Sequence, residues 1–80
     1  MPNFLVTVAG SERHDGEAPY DYVAAGSTGD EAAAKVVAVF KADHEDDDVI
    51  VISVKEGLPG KNYPFPWNDI RSGKCVTKNS

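Results

Sequence analysis

The sequence predicts an α+β fold in which one helix packs on a three-stranded, mainly antiparallel sheet. Two segments, residues 4–9 and 49–54, are rich in β-branched and aromatic side chains, a composition typical of strands. Residues 28–42 between them carry apolar side chains at helical spacing. A chain of 80 residues is expected to form a single core, because two smaller cores would bury too little surface.

The first two strands are predicted to form an antiparallel hairpin. Residues 4–9 form the first strand, and Gly10 ends it. Residues 10–19 are polar and contain glycines and a proline, which favours a loop. Residues 20–25 form the second strand, although two alanines weaken its pattern.

A capping box marks the start of the helix. The Thr28 hydroxyl can accept a hydrogen bond from the backbone N–H of Glu31, whose side chain can reach back to residue 28. Asp30 supports a helix start at the same point of the chain, because a carboxylate is stabilised near a helix N-terminus. The helix is predicted to run to about Ala42. Its sheet-facing stripe contains Ala33, Val36, Val37 and Phe40.

The third strand, residues 49–54, follows an acidic turn at residues 43–48, which we call the acidic turn below. Residues 26–48 are long enough for the helix to cross the sheet and return the chain. The first and third strands are the most apolar and are expected to be neighbours. The predicted strand order is therefore 2-1-3.

Residues 61–70 are predicted to be irregular, because Pro64 and Pro66 exclude an ordinary helix or a central strand. One domain is expected over residues 1–70, and residues 71–80 are expected to form a flexible tail. The aromatic residues Tyr63, Phe65 and Trp67 would either cover the core or anchor an interface.

Strand alternation predicts a second sheet face that the single helix cannot cover. On the helix side we expect Phe4, Val6, Val8, Ile50, Ile52 and Val54. On the second face we expect Leu5, Thr7, Val49, Val51 and Ser53, joined by Tyr20 and Tyr22 if Val23 faces the helix. The aromatic segment, a second copy of the chain or another protein could cover this face.

The composition argues against several classes of function. The net charge is −5, and residues 1–48 hold 11 of the 13 carboxylates, which makes nucleic acid an unlikely partner. No apolar run approaches the ~20 residues that span a bilayer. The first residues lack the basic region of a secretory signal, so we expect a cytoplasmic protein without membrane contact.

The sequence contains no recognisable catalytic motif, so we predict no enzyme, metal or cofactor. Cys75 lies in the predicted tail, and His14 and His44 lie in separate predicted loops, whereas nucleophilic catalysis needs such groups together. The acidic turn resembles the start of a calcium loop. Asp48 stands where that loop needs glycine and Val54 where it needs glutamate. An active site shared between copies is the remaining enzymatic alternative.

The features that remain favour a non-enzymatic protein-binding module. A run of carboxylates can imitate nucleic-acid phosphates and bind a basic nucleic-acid-binding host protein, which it would inhibit or modulate. The expected contacts are Asp43, Glu45, Asp46, Asp47 and Asp48, followed by Tyr20, Tyr22, Tyr63, Phe65 and Trp67. In size and charge the chain resembles compact accessory proteins of bacteriophages and mobile elements, including inhibitors of host defence nucleases.

Two other functions follow from the same residues. Tyr20 and Tyr22 could stack bases of single-stranded nucleic acid, with nearby lysines and arginines supplying charge. The chain could instead form a structural homodimer through the second sheet face.

Overall fold

The computed structural model describes residues 2–71 and the backbone of residues 76–78. Its elements are strand β1 (Asn3–Ala9), a 3₁₀ helix (Ser11–Asp15), β2 (Tyr20–Ala25), helix α1 (Gly29–His44), β3 (Ile50–Glu56), β4 (Trp67–Asp69) and β5 (Val76–Lys78). The predicted α+β class, with one α-helix in this part of the chain, is confirmed. No helix within it is long and apolar enough to cross a membrane.

The sheet is mixed and has the order β3-β1-β2-β4, with the short β5 beside β4. β1 is antiparallel to both β2 and β3, so its predicted central place between them is confirmed. The three-stranded count is wrong, because β4 pairs parallel to β2. The sequence analysis missed this strand because Pro64 and Pro66 indicated an irregular segment. β4 begins directly after Pro66, so the missing N–H of that proline removes no hydrogen bond from the strand.

The predicted irregular segment, residues 61–70, therefore contains a short strand that starts at Trp67. The predicted tail, residues 71–80, lies mostly outside the described residues. The exceptions are Arg71 and the backbone of β5, which pairs antiparallel with β4.

Helix α1 connects β2 to β3 across one face of the sheet. Its predicted cap is present, since the Thr28 hydroxyl accepts from the Glu31 N–H at 3.1 Å. The helix continues to His44, two residues past the predicted end, and Glu45 then adopts a left-handed conformation with φ of 50°. Asp43 and His44 thus belong to the last helical turn and not to a loop.

The core lies between α1 and the sheet. Phe40, fully buried, contacts the rings of Tyr20 and Tyr22 edge-on, at centroid distances of 5.3 and 6.3 Å. The exposed end of α1 adds the His44 ring, which stacks on Phe40 at 4.1 Å. The buried cluster consists of Phe4, Val6, Val8, Tyr22, Ala24, Ala32, Val36 and Phe40.

The two tyrosines of β2 therefore face the helix, contrary to the orientation considered above. Val6 pairs with Tyr22, and directly opposite residues of an antiparallel pair share a face. Val23 is consequently on the second face. The sequence pattern of β2 allowed both orientations, because apolar side chains occur at both its odd-numbered and its even-numbered positions.

β3 also departs from simple alternation. Thr7 pairs with Ser53 but Val8 pairs with Val51, so a β-bulge places one extra residue, Ile52, in this strand. The bulge reverses the sheet face on which the β3 residues before Ile52 lie. Ile50, paired with Ala9, thus lies on the second face, and Val51, paired with Val8, lies on the helix side, so the predicted faces of both residues are wrong.

Candidate functional site

Two of the five carboxylates of the predicted contact cluster hold the acidic turn to the 3₁₀ helix. Asp46 Oδ2 accepts from the backbone N–H and the hydroxyl of Ser11, both at 2.8 Å. Its Oδ1 accepts from the Asp48 N–H at 3.0 Å. These bonds, with that of the Ser11 N–H the strongest, lower the pKa of Asp46 from 3.8 to about 2.

Asp48 binds the same 3₁₀ helix through two side chains, those of Arg13 and His14. Its Oδ1 accepts from Arg13 Nη2 at 2.8 Å, and its Oδ2 lies 3.1 Å from His14 Nε2. The hydrogen bond from Arg13, followed by that from His14, holds the pKa of Asp48 below its usual value. Arg13 also donates to the carbonyl oxygens of Asp48 and Gly10. These contacts join the loop after β1 to the turn before β3.

The other three carboxylates, Asp43, Glu45 and Asp47, are exposed, and no hydrogen bond or ion pair found in the described part of the chain includes them. The acidic turn thus exposes three carboxylates that pair with no described group, and not the five counted in the sequence. Asp46 and Asp48 are occupied by structural bonds.

β3 is the most exposed apolar element of the described chain. The exposed fractions of Ile50, Val51, Ile52 and Val54 lie between 38% and 51%. One edge of β3 pairs with β1, and the other pairs with no strand among the described residues. We call this open edge of the strand, together with its four apolar residues, whose side chains lie on both faces of the sheet, the β3 edge.

The hydrogen-bond alternation shows which backbone groups the β3 edge presents. The Gly57 N–H donates to the Asn3 carbonyl at 2.7 Å, just past the end of the strand. Because bonded and non-bonded pairs alternate in an antiparallel ladder, Lys55 bonds β1, whereas Val54 and Glu56 direct their N–H and C=O groups outward. An added strand would find unpaired donors and acceptors there.

Tyr63 folds onto the second face of the sheet. Its hydroxyl donates to Asp21 Oδ2, and the Thr7 hydroxyl donates to Asp21 Oδ1 at 2.7 Å. Burial, together with the bond to Asp21, raises the pKa of Tyr63 to about 12. Part of the predicted aromatic cover is therefore present above β2, whereas Phe65, 61% exposed, projects outward.

These residues line a groove of about 370 Å³, which we call the Asp21 groove. Its walls are largely apolar, and Asp21 is the charged residue among the described residues that line it. The lining residues are Thr7, Ala18, Pro19, Asp21, Tyr63, Phe65 and Pro66. Sequence reasoning missed Asp21, although a single carboxylate within an apolar strand was a visible signal.

The remaining predicted contacts are dispersed over the molecule. Tyr22 is 1% exposed and Tyr20 is half-buried beneath α1, so Tyr22 has almost no surface with which to contact a partner. Trp67 lies in β4 and is half-buried. The structure brings together Tyr63 and Phe65, whose rings meet edge-on at 5.7 Å. The acidic turn lies elsewhere, next to the start of β3.

The histidines and carboxylates do not converge on one point. His14 contacts Asp48, whereas His44 stacks on Phe40. Within the described residues, no group of three or more His, Cys, Asp or Glu side chains is arranged to hold a metal ion. Cys75 lies outside the described residues.

Comparison with known proteins adds no assignment to this geometry. No protein-family model, curated protein or solved structure matches the chain.

Proposed function

We propose that this protein is a non-enzymatic binding module that docks an extended, basic segment of a partner protein on the β3 edge. The observation that carries the proposal is the exposure of β3. Its four apolar residues are 38–51% exposed, and no strand in the described part of the chain pairs with its outer edge. Such an edge is a template for an added strand.

Charge next to the edge specifies the partner. The acidic turn leads directly into β3, so the exposed carboxylates of Asp43, Glu45 and Asp47 flank one end of the docking strand. A segment with lysine or arginine there would be attracted, and its association would be accelerated at low salt. A basic nucleic-acid-binding protein has this chemistry. Occupying its basic segment would inhibit or modulate it, as the size and charge of the chain led us to expect.

The edge also carries features that limit indiscriminate pairing. The bulge at Ile52 and the charged pair Lys55 and Glu56 are devices with which native proteins blunt open strands. They restrict pairing to a short stretch. A specific partner is therefore favoured over unlimited self-association of the chain.

Single-stranded nucleic acid receives less support. That function requires bases to stack on Tyr20 and Tyr22, and both rings pack against Phe40 beneath α1. A homodimer through the β3 edge uses the same surface as the proposed partner, and the experiments below treat it as a separate outcome.

The backbone test uses one position with two substitutions. Glu56→Pro removes an outward N–H and leaves the ladder with β1 intact, whereas the control Glu56→Ala keeps that N–H. Both variants and the wild-type chain are used as baits in a host lysate, with elution by a salt gradient. We expect basic proteins that bind wild type and Glu56→Ala, elute as salt rises and are lost with Glu56→Pro. Equal capture by both variants would overturn docking by strand addition.

The side-chain test compares two exposed apolar positions. Ile52→Lys places a charge on the β3 edge, and Leu58→Lys places the same charge beyond the strand, where Leu58 is also 51% exposed. Only Ile52→Lys should abolish capture. Sedimentation of the pure protein over a range of concentrations identifies the competing case: a dimer that Glu56→Pro converts to monomer would assign the edge to self-association and contradict the proposal.

A further inference from the structure

Asp21 borders the groove named after it, and no cationic side chain of residues 2–71 pairs with it. Asp21 is 8% exposed, and its two oxygens accept hydrogen bonds from the hydroxyls of Thr7 and Tyr63. None of the ion pairs found in the described part of the chain includes it. Both donors are neutral, so the Asp21 carboxyl group is hydrogen-bonded but has no counter-charge among the side chains that the structure describes.

A purely structural role accounts for only part of this arrangement. Burying a carboxylate without a counter-charge costs free energy that neutral hydrogen bonds offset incompletely. Asparagine at position 21 could accept the Tyr63 hydroxyl without that cost. Anchoring Tyr63 therefore explains a hydrogen-bond acceptor here but does not explain a negative charge.

The surroundings of Asp21 fit an incoming cation with an apolar stem. A second depression shares Ala18, Pro19, Asp21 and Pro66 with the groove and adds the carboxylate of Glu17. Among the described residues, no lysine, arginine or histidine lines either depression. The aromatic wall is formed by Tyr63 and by Phe65, whose ring is mostly exposed.

We propose that the Asp21 groove binds a basic side chain of the partner protein, and that arginine is preferred. A guanidinium is flat, so it can stack on Phe65 while donating to the free lone pairs of the Asp21 carboxylate. A lysine ammonium would gain the charge interaction and lose the stacking and the bidentate geometry.

The assignment to a partner side chain, and not to a free amine, rests on the proposed function. Thr7 lines the groove and is paired with Ser53 of β3, so the groove lies one strand away from the β3 edge on the second face. A partner docked on the edge can reach the groove by extending one long side chain across this face.

The chemistry is tested by titrating ¹⁵N-labelled protein with N-acetylarginine amide and with its citrulline analogue, which has nearly the same shape but no charge. We expect saturable amide shifts around Asp21, Tyr63 and Phe65 with the arginine probe. The citrulline probe should bind more weakly by at least about tenfold, because it lacks the charged hydrogen bond to Asp21. Equal binding of both probes, or arginine-induced shifts confined to the acidic turn, would overturn the proposal.

Two carboxylate variants separate the groove from general attraction. Asp21→Asn should weaken the arginine probe by about tenfold or more, whereas Asp30→Asn, an exposed carboxylate at the start of α1, should change it by less than about twofold. Equal weakening by both would show that overall charge attracts the probe, against the proposal. If Asp21→Asn does not fold, Phe65→Ala tests the stacking wall and should weaken the probe several-fold; unchanged binding would count against the site.

The titration contains no partner protein, so its failure leaves docking on the β3 edge untouched, and failure of the capture experiments leaves the titration interpretable. Free agmatine provides the last distinction. If agmatine bound at micromolar concentration and the acetylated amide did not bind, the occupant would be a small amine and the assignment to a partner side chain would be wrong.

Discussion

β2 and β3 flank the same central strand, yet their environments are opposite. In β2, Tyr22, Val23 and Ala24 are at most 1% exposed. In β3, Ile52 is 51% exposed and its apolar neighbours are little better covered. By composition the ranking should be reversed, because β3 is the richer in β-branched residues and β2 contains alanines. Strand propensity indicates that a segment is extended, but it does not indicate which segment the rest of the chain will cover.

The difference follows from what lies beside each strand. β2 has β1 on one side and β4 on the other, with Phe40 of α1 above it and Tyr63 on the second face. Among the strands that the structure describes, β3 has a neighbour on one side, β1. An exposed apolar edge strand favours aggregation unless something covers it, and this contrast is the physical basis for our proposal that β3 is the partner surface.

Truncation of side chains should show the contrast most strongly. Phe40→Ala leaves a cavity above β2 and should lower the free energy of unfolding by about 3–5 kcal/mol. Ile52→Ala removes a half-exposed side chain and should change it by less than about 1 kcal/mol. Urea unfolding followed by circular dichroism measures both. A loss of similar size for the two variants would mean that β3 is as well packed as β2, which would remove the basis for the proposed edge.

The next largest effect is expected at Gly10, where β1 turns into the 3₁₀ helix. A Cβ atom here would lie 2.6 Å from Asp46 Oδ2 and 2.7 Å from Phe40 Cε1. Because the core ring cannot move away freely, Gly10→Ala should destabilise the fold by about 1–3 kcal/mol. Gly60→Ala is a matched control, since nothing lies within 4 Å of its added Cβ. Equal stability of the two variants would show that the Phe40 ring can move aside and is not held rigidly in the core.

Sequence reasoning reached the α+β class, the helix cap at Thr28 and the central position of β1, because each depends on local chemistry. It did not reach the face on which Tyr22 lies, since the apolar pattern of β2 fits both parities. The bulge at Ile52 was also missed, because one extra residue leaves the composition of a strand unchanged. At the candidate site it counted all carboxylates of the acidic turn as free, because the bonds of Asp46 to Ser11 span 35 residues.

The hydrogen bond of Tyr63 with Asp21 should be lost at high pH, and the hydrogen bonds of Asp46 with Ser11 should be lost at low pH. On the β2 side, the pKa of Tyr63 is raised from 10.0 to about 12 by burial and by Asp21. The folded state thus favours the neutral phenol, and this stabilisation is complete below pH 10 and is lost as pH rises from about 10 to about 12. Thermal melting of wild type should fall faster over this range than that of Tyr63→Phe. Parallel pH profiles would show that the Tyr63 hydroxyl is not held by Asp21.

On the β3 side, the smallest effect is expected from Asp46, whose pKa is lowered from 3.8 to about 2 by Ser11 and Asp48. The folded state favours the carboxylate, so the stabilisation is present above pH 3.8 and is lost as pH falls toward about 2. Asp46→Asn should flatten the melting profile between these values, whereas Asp47→Asn should not.

Because Asp46 and Asp48 hold the start of β3 against the 3₁₀ helix, acid should also loosen β3 before it loosens β2. Hydrogen exchange at pH 3 can compare the two strands. Earlier exchange in β2 would reverse the comparison and show that the edge strand is the more firmly held of the two.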